Sequence, residues 1–411
     1  MNVIPFYKPR RVDTAAFFDR AKEIISDAWF TNGGRKVTEL EGHIAELHGV
    51  EHCIAVCNAT IGLQLLLNGL DLAGEVITTP FTFIATAHAI KWQRLTPVFC
   101  DIDPITLTLD PRRVAEHITP HTSAILGVHV FGQPCDTESL DNLGKEKGFK
   151  VVYDAAHCFM TSHHGTPVAQ FGEASVLSFH ATKIFHTFEG GAVLTNNSEL
   201  AAKLRLLKNF GFKGVDWVDY LGINAKMPEM SAAYGLALLP YMPETIQRFQ
   251  RIQNAYRAGL NDVPGISFFE LEEGVRGNRQ YVVMFVDAGL LGLTRNQLWA
   301  WLWKQGVESR RYFYPGVHMC EPYRSGKPWF KTLLPVANRV TASVLCLPSF
   351  FDLGDGDLER IIGEVRYAHA NSDEVRRWFG SFLEAAPSEA RLKVLYDALL
   401  RDNCLEVDVG R

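Results

Sequence analysis

The 411-residue sequence lacks the features that mark several protein classes. No stretch reaches the roughly 18 uninterrupted apolar residues of a membrane-spanning helix, and the N-terminal residues contain no apolar signal core. The eight cysteines are scattered, without the close spacings of a zinc or iron–sulfur site. The net charge of −5 provides no general basic surface for nucleic acid. We therefore predict a cytoplasmic protein with reduced thiols and with no metal site, membrane partner or nucleic-acid partner.

The apolar pattern predicts an α/β fold. Strand-like and helix-like segments alternate over residues 52–178, which is typical of a mostly parallel sheet covered by helices on both faces. One long helical pattern, about 226–261, leads to a later region with the mixed pattern of a smaller α+β domain. We predict a large domain at 1–245, a small C-terminal domain at 246–372, and a helical C-terminal extension of unknown role at 373–411.

One lysine stands out in the segment LSFHATKIFHTFEGGAVLT, residues 177–195. Lys183 lies between a strand-like apolar run and a Gly-Gly pair that precedes another apolar run. A buried lysine loses hydration of its ammonium, so its pKa falls and the amine becomes available for Schiff-base chemistry. The alternative is an ordinary surface lysine in a loop.

Two other segments place polar groups at strand ends, where open α/β sheets bind their ligands. In CNATIGLQ, residues Asn58 to Thr60 stand between a strand and a helix, which predicts either a phosphate site or an ordinary helix cap. In VVYDAAHCF, Asp154 ends a strand and His157 follows it. The aspartate could pair with a protonated pyridinium nitrogen or cap a turn. With Lys183, these groups form the set that pyridoxal phosphate requires.

Several motifs, in this order along residues 5–350, resemble those of a known family: GEVITTPFTFIATAHAI, TPVFCDIDPITLTLDP, AILGVHVFGQPCD, VVYDAAHCF, SFHATKIFHTFEGGAVLTNN and GINAKMPEMSAAYGL. The resemblance is to the DegT/DnrJ/EryC1/StrS sugar aminotransferases, which depend on pyridoxal 5'-phosphate and have the aspartate aminotransferase type I fold. It implies a homodimer with composite active sites. The residues to which it assigns cofactor roles are Lys183 (Schiff base), Asp154 (pyridine nitrogen), His157 (3-hydroxyl), Phe83 (ring stacking), Ala59, Thr60 and Ser178 (phosphate), and Asn224 (phosphate of the neighbouring subunit).

The resemblance is closest to enzymes that aminate the 4-position of nucleotide-linked 4-keto-6-deoxyhexoses, such as dTDP sugars. It implies glutamate as the amino donor. The segment SRRYFYPGVHM, residues 309–319, resembles the part of the small domain that approaches the sugar nucleotide. We therefore expect substrate contacts from Arg310, Arg311, Tyr312 and His318, the alternative for the arginines being an exposed pair on an edge strand.

Other functions remain open at this stage. A keto-inositol aminotransferase forming an aminocyclitol, or a 3-keto sugar aminotransferase, would use the same cofactor residues. A non-catalytic regulatory protein that binds pyridoxal phosphate or a nucleotide is the alternative from another class, and the lysine–aspartate pair disfavours it. Relatives that dehydrate sugars have histidine in place of the lysine, so Lys183 favours transamination.

Overall fold

The computed structural model describes residues 2–321, 323–325 and 333–384. The helices are α1 (Thr14–Asp27), α2 (Arg35–His48), α3 (Ala59–Gly69), α4 (Ile84–Trp92), α5 (Pro111–Glu116), α6 (Thr137–Lys147), α7 (Ser198–Leu207), α8 (Glu229–Leu238), α9 (Met242–Leu260), α10 (Ala288–Leu291), α11 (Arg295–Lys304), α12 (Pro335–Ser343), α13 (Asp355–Ala370) and α14 (Ser372–Glu384). The strands are β1 (His52–Val56), β2 (Glu75–Thr78), β3 (Thr96–Phe99), β4 (Thr122–Val128), β5 (Lys150–Asp154), β6 (Ser162–His163), β7 (Thr166–Pro167), β8 (Ala174–Ser178), β9 (Gly191–Thr195), β10 (Phe212–Gly214), β11 (Trp217–Val218), β12 (Ile266–Phe268), β13 (Val275–Arg276), β14 (Val282–Val286) and β15 (Val344–Leu347).

A seven-stranded sheet organises the larger part of the molecule. Its strand order is β1-β9-β8-β5-β4-β2-β3. The strands β3, β2, β4, β5 and β8 pair in parallel, and β9 runs antiparallel to both of its neighbours. The predicted α/β fold with a mostly parallel sheet is therefore confirmed. Because parallel strands share a direction, the carboxyl ends of β4, β5 and β8 meet at one edge of the sheet.

Helices cover both faces of this sheet, as the alternation along β8 illustrates. Val176 packs in a core with Leu63 and Leu66 of α3, whereas the next residue, Leu177, packs with Leu40 of α2 on the opposite face. Successive strand residues point to opposite faces, so a strand buried on both sides must be apolar throughout. This is why β8 reads as an apolar run in the sequence.

A second, antiparallel sheet of order β12-β14-β15 shares one hydrophobic core with α9, α11 and α13 in the smaller part of the chain. Its core also includes Ile4, whose backbone N–H donates to the Gly306 carbonyl oxygen at 2.8 Å. The N-terminal residues therefore pack with the region that the sequence-based division places at 246–372. Similarly, β13 belongs by sequence to the predicted small domain, but it pairs with β6 of the predicted large domain.

The predicted long helix over about 226–261 is two helices, α8 and α9, separated by a 3-10 turn at Leu239–Tyr241. Pro240 explains the break, because proline has no backbone N–H to donate to the preceding turn. Within α9, Phe249 packs in a core of the seven-stranded sheet and Tyr256 in the core of the second sheet. The helix thus joins the two cores.

The C-terminal helix α14 lies against α11. Trp378 meets Trp301 edge to face with ring centroids 5.9 Å apart, and the ammonium of Lys304 lies over both rings at 4.5 and 4.7 Å. Of the extension predicted at 373–411, the part up to residue 384 is helical, and residues 385–411 lie outside the described part of the chain. No described helix has the length and apolar composition needed to cross a membrane.

Candidate active site

A cavity of about 590 Å³ opens where β5 and β8 end and where α3 and α4 begin. Its position is the one expected for a ligand site in an open α/β sheet. Seven of the eight predicted cofactor residues line it, namely Ala59, Thr60, Phe83, Asp154, His157, Ser178 and Lys183. The cavity therefore brings together predicted residues from four separate segments of the chain.

Lys183 projects into this cavity from the loop between β8 and β9. Its Nζ donates a hydrogen bond to the hydroxyl of Tyr281 at 3.1 Å. Burial lowers the pKa of Lys183 to about 8, and the negative charge of Asp154 opposes that shift. The uncharged amine, which nucleophilic attack and proton abstraction require, is therefore more populated near neutral pH than in an ordinary lysine.

Asp154 is the last residue of β5, and two donors fix its carboxylate. Oδ2 accepts from the hydroxyl of Thr86 at 2.8 Å, and Oδ1 accepts from the backbone N–H of Ala156 at 3.1 Å. Burial raises the pKa of Asp154, while these hydrogen bonds and Lys183 act in the opposite direction. A buried carboxylate is stabilised by a cation placed against it, and a protonated pyridinium nitrogen supplies that charge.

His157 presents a fixed donor to the cavity. Its Nδ1 accepts from the backbone N–H of Phe131 at 3.1 Å, and therefore the proton of the neutral ring resides on Nε2. Phe131 and Phe313 stack on the imidazole with interplanar angles of 14° and 13°. Burial, followed by the charge of Lys183, holds the pKa of His157 well below its ordinary value. The ring can thus donate to a ligand oxygen without adding a positive charge.

The start of α3 supplies anion-binding groups. Asn58 caps the helix, because its side-chain oxygen accepts from the Ile61 N–H at 2.9 Å. The first N–H groups of a helix have no acceptor within it, so the amides of Ala59 and Thr60 are available to an anion. Gly191 allows the close approach of β9, since a Cβ there would lie 2.7 Å from the Ala59 nitrogen. Ser178, at the end of β8, adds a hydroxyl.

Phe83 precedes α4 and leaves 59 % of its surface exposed while lining the cavity. An aromatic ring with an uncovered face can stack on a planar ligand ring. The cavity also contains the carboxylate of Asp154, the amine of Lys183 and the anion-binding start of α3. It therefore offers a partner for each part of pyridoxal phosphate. The residues present therefore fit this cofactor.

Several predicted site residues do not line the cavity. Asn224 is exposed and forms a backbone bridge with Asn209. Among the four expected substrate residues, only Tyr312 lines the cavity. The guanidinium of Arg310 lies over the Trp303 ring. The contact of Asn224 with a neighbouring subunit stays a prediction.

Arg311 and His318 contact other side chains of this chain, and their contact with a substrate stays a prediction. Arg311 stacks on Trp299 with its Cζ atom 4.0 Å from the ring centroid, and it donates to the Asn296 side-chain oxygen at 3.0 Å. His318 is buried, with Nε2 2.9 Å from the Asn338 oxygen. Neighbouring side chains thus turn both residues into the small domain.

The sequence did not predict several residues that contact Lys183 and Asp154 or line the cavity beside them. Tyr281 contacts the Lys183 amine, and Thr86 contacts Asp154. Gln280 and Glu189 also line the cavity. Tyr281 lies 98 residues after Lys183, so no local motif joins them. The signal available was a polar Asn-Arg-Gln-Tyr segment directly before the buried strand VVMFV.

Residues 12–366 match the model of the DegT/DnrJ/EryC1/StrS aminotransferase family. The chain belongs to this family. A dTDP-4-amino-4,6-dideoxy-D-glucose transaminase of Shigella dysenteriae is 39% identical over 345 residues, which cover 82% of this chain and 91% of the relative. Its counterpart of the same name in Escherichia coli is 37% identical over 357 residues, covering 86% and 95%. Among solved structures, DesI crystallised in the presence of its TDP-sugar product superposes with a TM-score of 0.87 at 41% identity, covering 92% and 95%.

Family membership confirms the predicted fold type and activity class. This DegT/DnrJ/EryC1/StrS protein is a sugar aminotransferase that depends on pyridoxal phosphate. The alternative of a non-catalytic regulatory protein is set aside. Among the described residues, no group of three or more His, Cys, Asp or Glu side chains is arranged to hold a metal ion.

Proposed function

We propose that this chain transfers an amino group from glutamate to the 4-keto carbon of a dTDP-linked 4-keto-6-deoxyhexose. The main support is that Lys183, Asp154 and His157 line one cavity. The chain is also 37% to 39% identical to transaminases named for dTDP-4-amino-4,6-dideoxy-D-glucose. The solved relative DesI, with its TDP-sugar product, supports the same class of substrate.

When bound, pyridoxal phosphate supplies an aldehyde that condenses with amines and a ring that delocalises the electron pair left on a deprotonated carbon. The side chains have matching tasks. Asp154 holds the proton on the ring nitrogen, and His157 donates its Nε2–H to the 3-oxygen. The amides of Ala59 and Thr60 and the hydroxyl of Ser178 bind the phosphate.

Lys183 is the proton carrier. With its pKa near 8, its uncharged amine can accept a proton from the α-carbon of the donor near neutral pH. The resulting ammonium would then give that proton to C4′ of the cofactor in the same half-reaction. In the second half-reaction the order is reversed, and the proton is delivered to the sugar carbon that gains nitrogen. The burial that lowers the pKa of Lys183 favours the uncharged form, which is the form that accepts the proton.

The working unit in this proposal is a homodimer with composite sites. In the described lining of the cavity, Lys183 is the only lysine or arginine, whereas Asp154 and Glu189 are acidic. A sugar nucleotide adds a diphosphate to the phosphate of the cofactor, so further cations and donors must come from elsewhere. The segment before Asn224 exposes large apolar side chains, including Trp217 at 62 % and Leu221 at 90 %. We infer that a second copy covers this segment and that Asn224 reaches the cavity of the neighbouring copy.

The substrate assignment is tested with purified protein, pyridoxal phosphate and glutamate. We expect a dTDP-4-keto-6-deoxyhexose to gain nitrogen, detected by mass spectrometry, with formation of 2-oxoglutarate. A 3-keto isomer, a keto-inositol and the sugar without its nucleotide serve as comparisons. Faster conversion of any of them than of the 4-keto nucleotide sugar would contradict the proposal.

The composite site is tested by complementation. Lys183→Ala removes the amine, and Asn224→Asp places a negative charge against the proposed phosphate. In a mixed dimer, one site carries both changes and the other carries neither. We expect each homodimer to be inactive and the isolated mixed dimer to recover about half of the wild-type activity per dimer.

Chains with different affinity tags allow the mixed dimer to be purified and its composition to be checked. Asn142→Asp makes the same change at an exposed residue of α6 that does not line the cavity. It is the control and should leave the activity of its homodimer close to wild type. A mixed dimer without activity, although both chains are folded, would contradict the composite arrangement. So would full activity of a monomer at the assay concentration.

A further inference from the structure

The segment Asn278–Tyr281 of the chain reaches across to the loop that carries Lys183. The side chain of Gln280 brackets this lysine, because its Oε1 accepts from the Ile184 N–H at 3.0 Å and its Nε2 donates to the Thr182 carbonyl oxygen. Both backbone neighbours of Lys183 are thus tied to Gln280. The next residue, Tyr281, contacts the lysine amine itself.

Two other side chains hold this segment in place. Asn278 donates to the carbonyl oxygens of His157 and Phe159 at 3.0 and 3.1 Å. Gln253 of α9 donates to the carbonyl oxygen of Tyr281 at 2.8 Å. The backbone of Tyr281 is therefore anchored to the helix that joins the two cores, and its neighbours are anchored to the strand end that carries the cofactor-facing residues.

The ring of Tyr281 is enclosed by other rings. Its centroid lies 4.5 Å from that of His157, 5.6 Å from that of Phe131 and 6.3 Å from that of Tyr312. These contacts fix the direction of the hydroxyl. The Tyr281 hydroxyl accepts the hydrogen bond that Lys183 Nζ donates at 3.1 Å.

A phenol hydroxyl can serve both charge states of an amine. It donates to the lone pair of a neutral amine, and its oxygen accepts from an ammonium. Burial raises the pKa of Tyr281 well above its ordinary value, so the phenol stays protonated and does not itself remove a proton from the donor. Its contribution is geometric, because a lysine side chain has four rotatable bonds and loses rate when its amine is not held near the reacting carbon.

We propose that Tyr281 is a positioning residue for proton transfer, whose hydroxyl holds the amine of Lys183 at one place in the cavity whenever that amine is free. The proposal rests on the proton-carrying role assigned to Lys183 above. It adds a residue outside the cofactor set predicted from the sequence, and it gives the small domain a direct part in the chemistry of the large one.

The test compares Tyr281→Phe with Tyr256→Phe. The first variant keeps the ring and its contacts but removes the hydroxyl from Lys183. The second removes a buried tyrosine hydroxyl from the small domain, where it donates to the Pro348 carbonyl oxygen at 2.9 Å, and Tyr256 does not line the cavity. Each variant loses one buried hydrogen bond. A difference between the two variants therefore reports the contact of Tyr281 with Lys183.

The first measurement uses no sugar and no turnover. Apoprotein is mixed with pyridoxal phosphate, and covalent capture is followed by absorbance, separately from the initial binding. Tyr281→Phe should slow capture about tenfold or more and change the dissociation constant less than about threefold. Tyr256→Phe should capture the cofactor at the wild-type rate. Wild-type protein that captures no cofactor on Lys183 would count against the function assigned to that lysine, and not against Tyr281 specifically.

The second measurement is the glutamate half-reaction with ordinary and α-deuterated donor. In Tyr281→Phe we expect the limiting rate constant of this half-reaction to fall on the order of 10- to 100-fold, with the apparent dissociation constant of glutamate little changed. The deuterium isotope effect should rise because proton transfer becomes slower. The positioning role would be overturned by wild-type capture and kinetics in Tyr281→Phe. It would equally be overturned by losses matching those of Tyr256→Phe, or by a loss confined to cofactor affinity.

Discussion

Lys183→Ala is expected to lower turnover by roughly four orders of magnitude or more. The change removes the covalent attachment point and the proton carrier together, because one amine performs both tasks. Cofactor binding should persist at reduced affinity, since Asp154, His157 and the start of α3 remain. The fold should persist as well, because Lys183 faces the cavity rather than a packed core.

Borohydride reduction gives the direct measurement. In wild-type protein, reduction should fix the cofactor irreversibly to one peptide, the one that contains Lys183. In Lys183→Ala the cofactor should leave on dialysis after the same treatment. Lys150→Ala, which removes an exposed ion pair with Glu173 on the same large domain, is the matched control and should behave like wild type. Fixation at another lysine, or turnover of Lys183→Ala close to wild type, would show that the site is misplaced.

The parts of the site that the sequence predicts well are local. Asp154 follows three apolar residues that form the buried β5, and Lys183 follows the fully buried β8. In each case the strand delivers the polar side chain to a known edge of the sheet. The structure places both residues in one cavity because β5 and β8 are adjacent and parallel.

The parts that it predicts poorly depend on contacts between distant segments. The type of residue at Arg311 indicates a cation but not the direction in which the side chain points, and Trp299 and Asn296 of α11 draw the guanidinium inward. Likewise, a tyrosine directly before an apolar strand, such as Tyr281, would be predicted to pack in the core. Its role follows from the way Asn278 and Gln280 dock on the large domain.

Two features of the fold also depend on such distant contacts and were not predicted. They are the helix boundary near residue 240 and the position of the N-terminal residues. The apolar pattern continues through Pro240, so periodicity alone predicts one helix where the structure has two. Ile4 is apolar in either domain, and its pairing with Val307 depends on the completed fold. Tertiary packing decides both features, and a local pattern contains little information about it.

Asp154→Asn is expected to lower turnover about 100-fold or more, in both half-reactions. The amide keeps the size of the carboxylate and can still accept from Thr86, but it has no charge to hold a proton on the pyridine nitrogen. The ring then accepts electrons less readily, and proton loss from the α-carbon becomes slower. The effect should appear in kcat more than in the donor KM.

The same variant should move the titration of Lys183. The charge of Asp154 raises the pKa of Lys183 against the larger effect of burial, and the balance is about 8. Without that charge the pKa of the lysine falls, so the uncharged amine persists to lower pH. The pH midpoint for covalent capture of pyridoxal phosphate by the apoprotein should therefore shift downward from the wild-type value in Asp154→Asn.

Asp141→Asn supplies the control for a carboxylate with structural contacts only. Asp141 accepts from the Tyr153 hydroxyl at 3.2 Å and from the Gly172 N–H at 3.1 Å, and it does not line the cavity. Asp141→Asn should leave the pH midpoint for capture of pyridoxal phosphate unchanged, even if this variant unfolds at a lower temperature. An unshifted midpoint together with near-normal turnover in Asp154→Asn would remove the reason for assigning the ring nitrogen to this residue, because charge is the property that separates the two side chains.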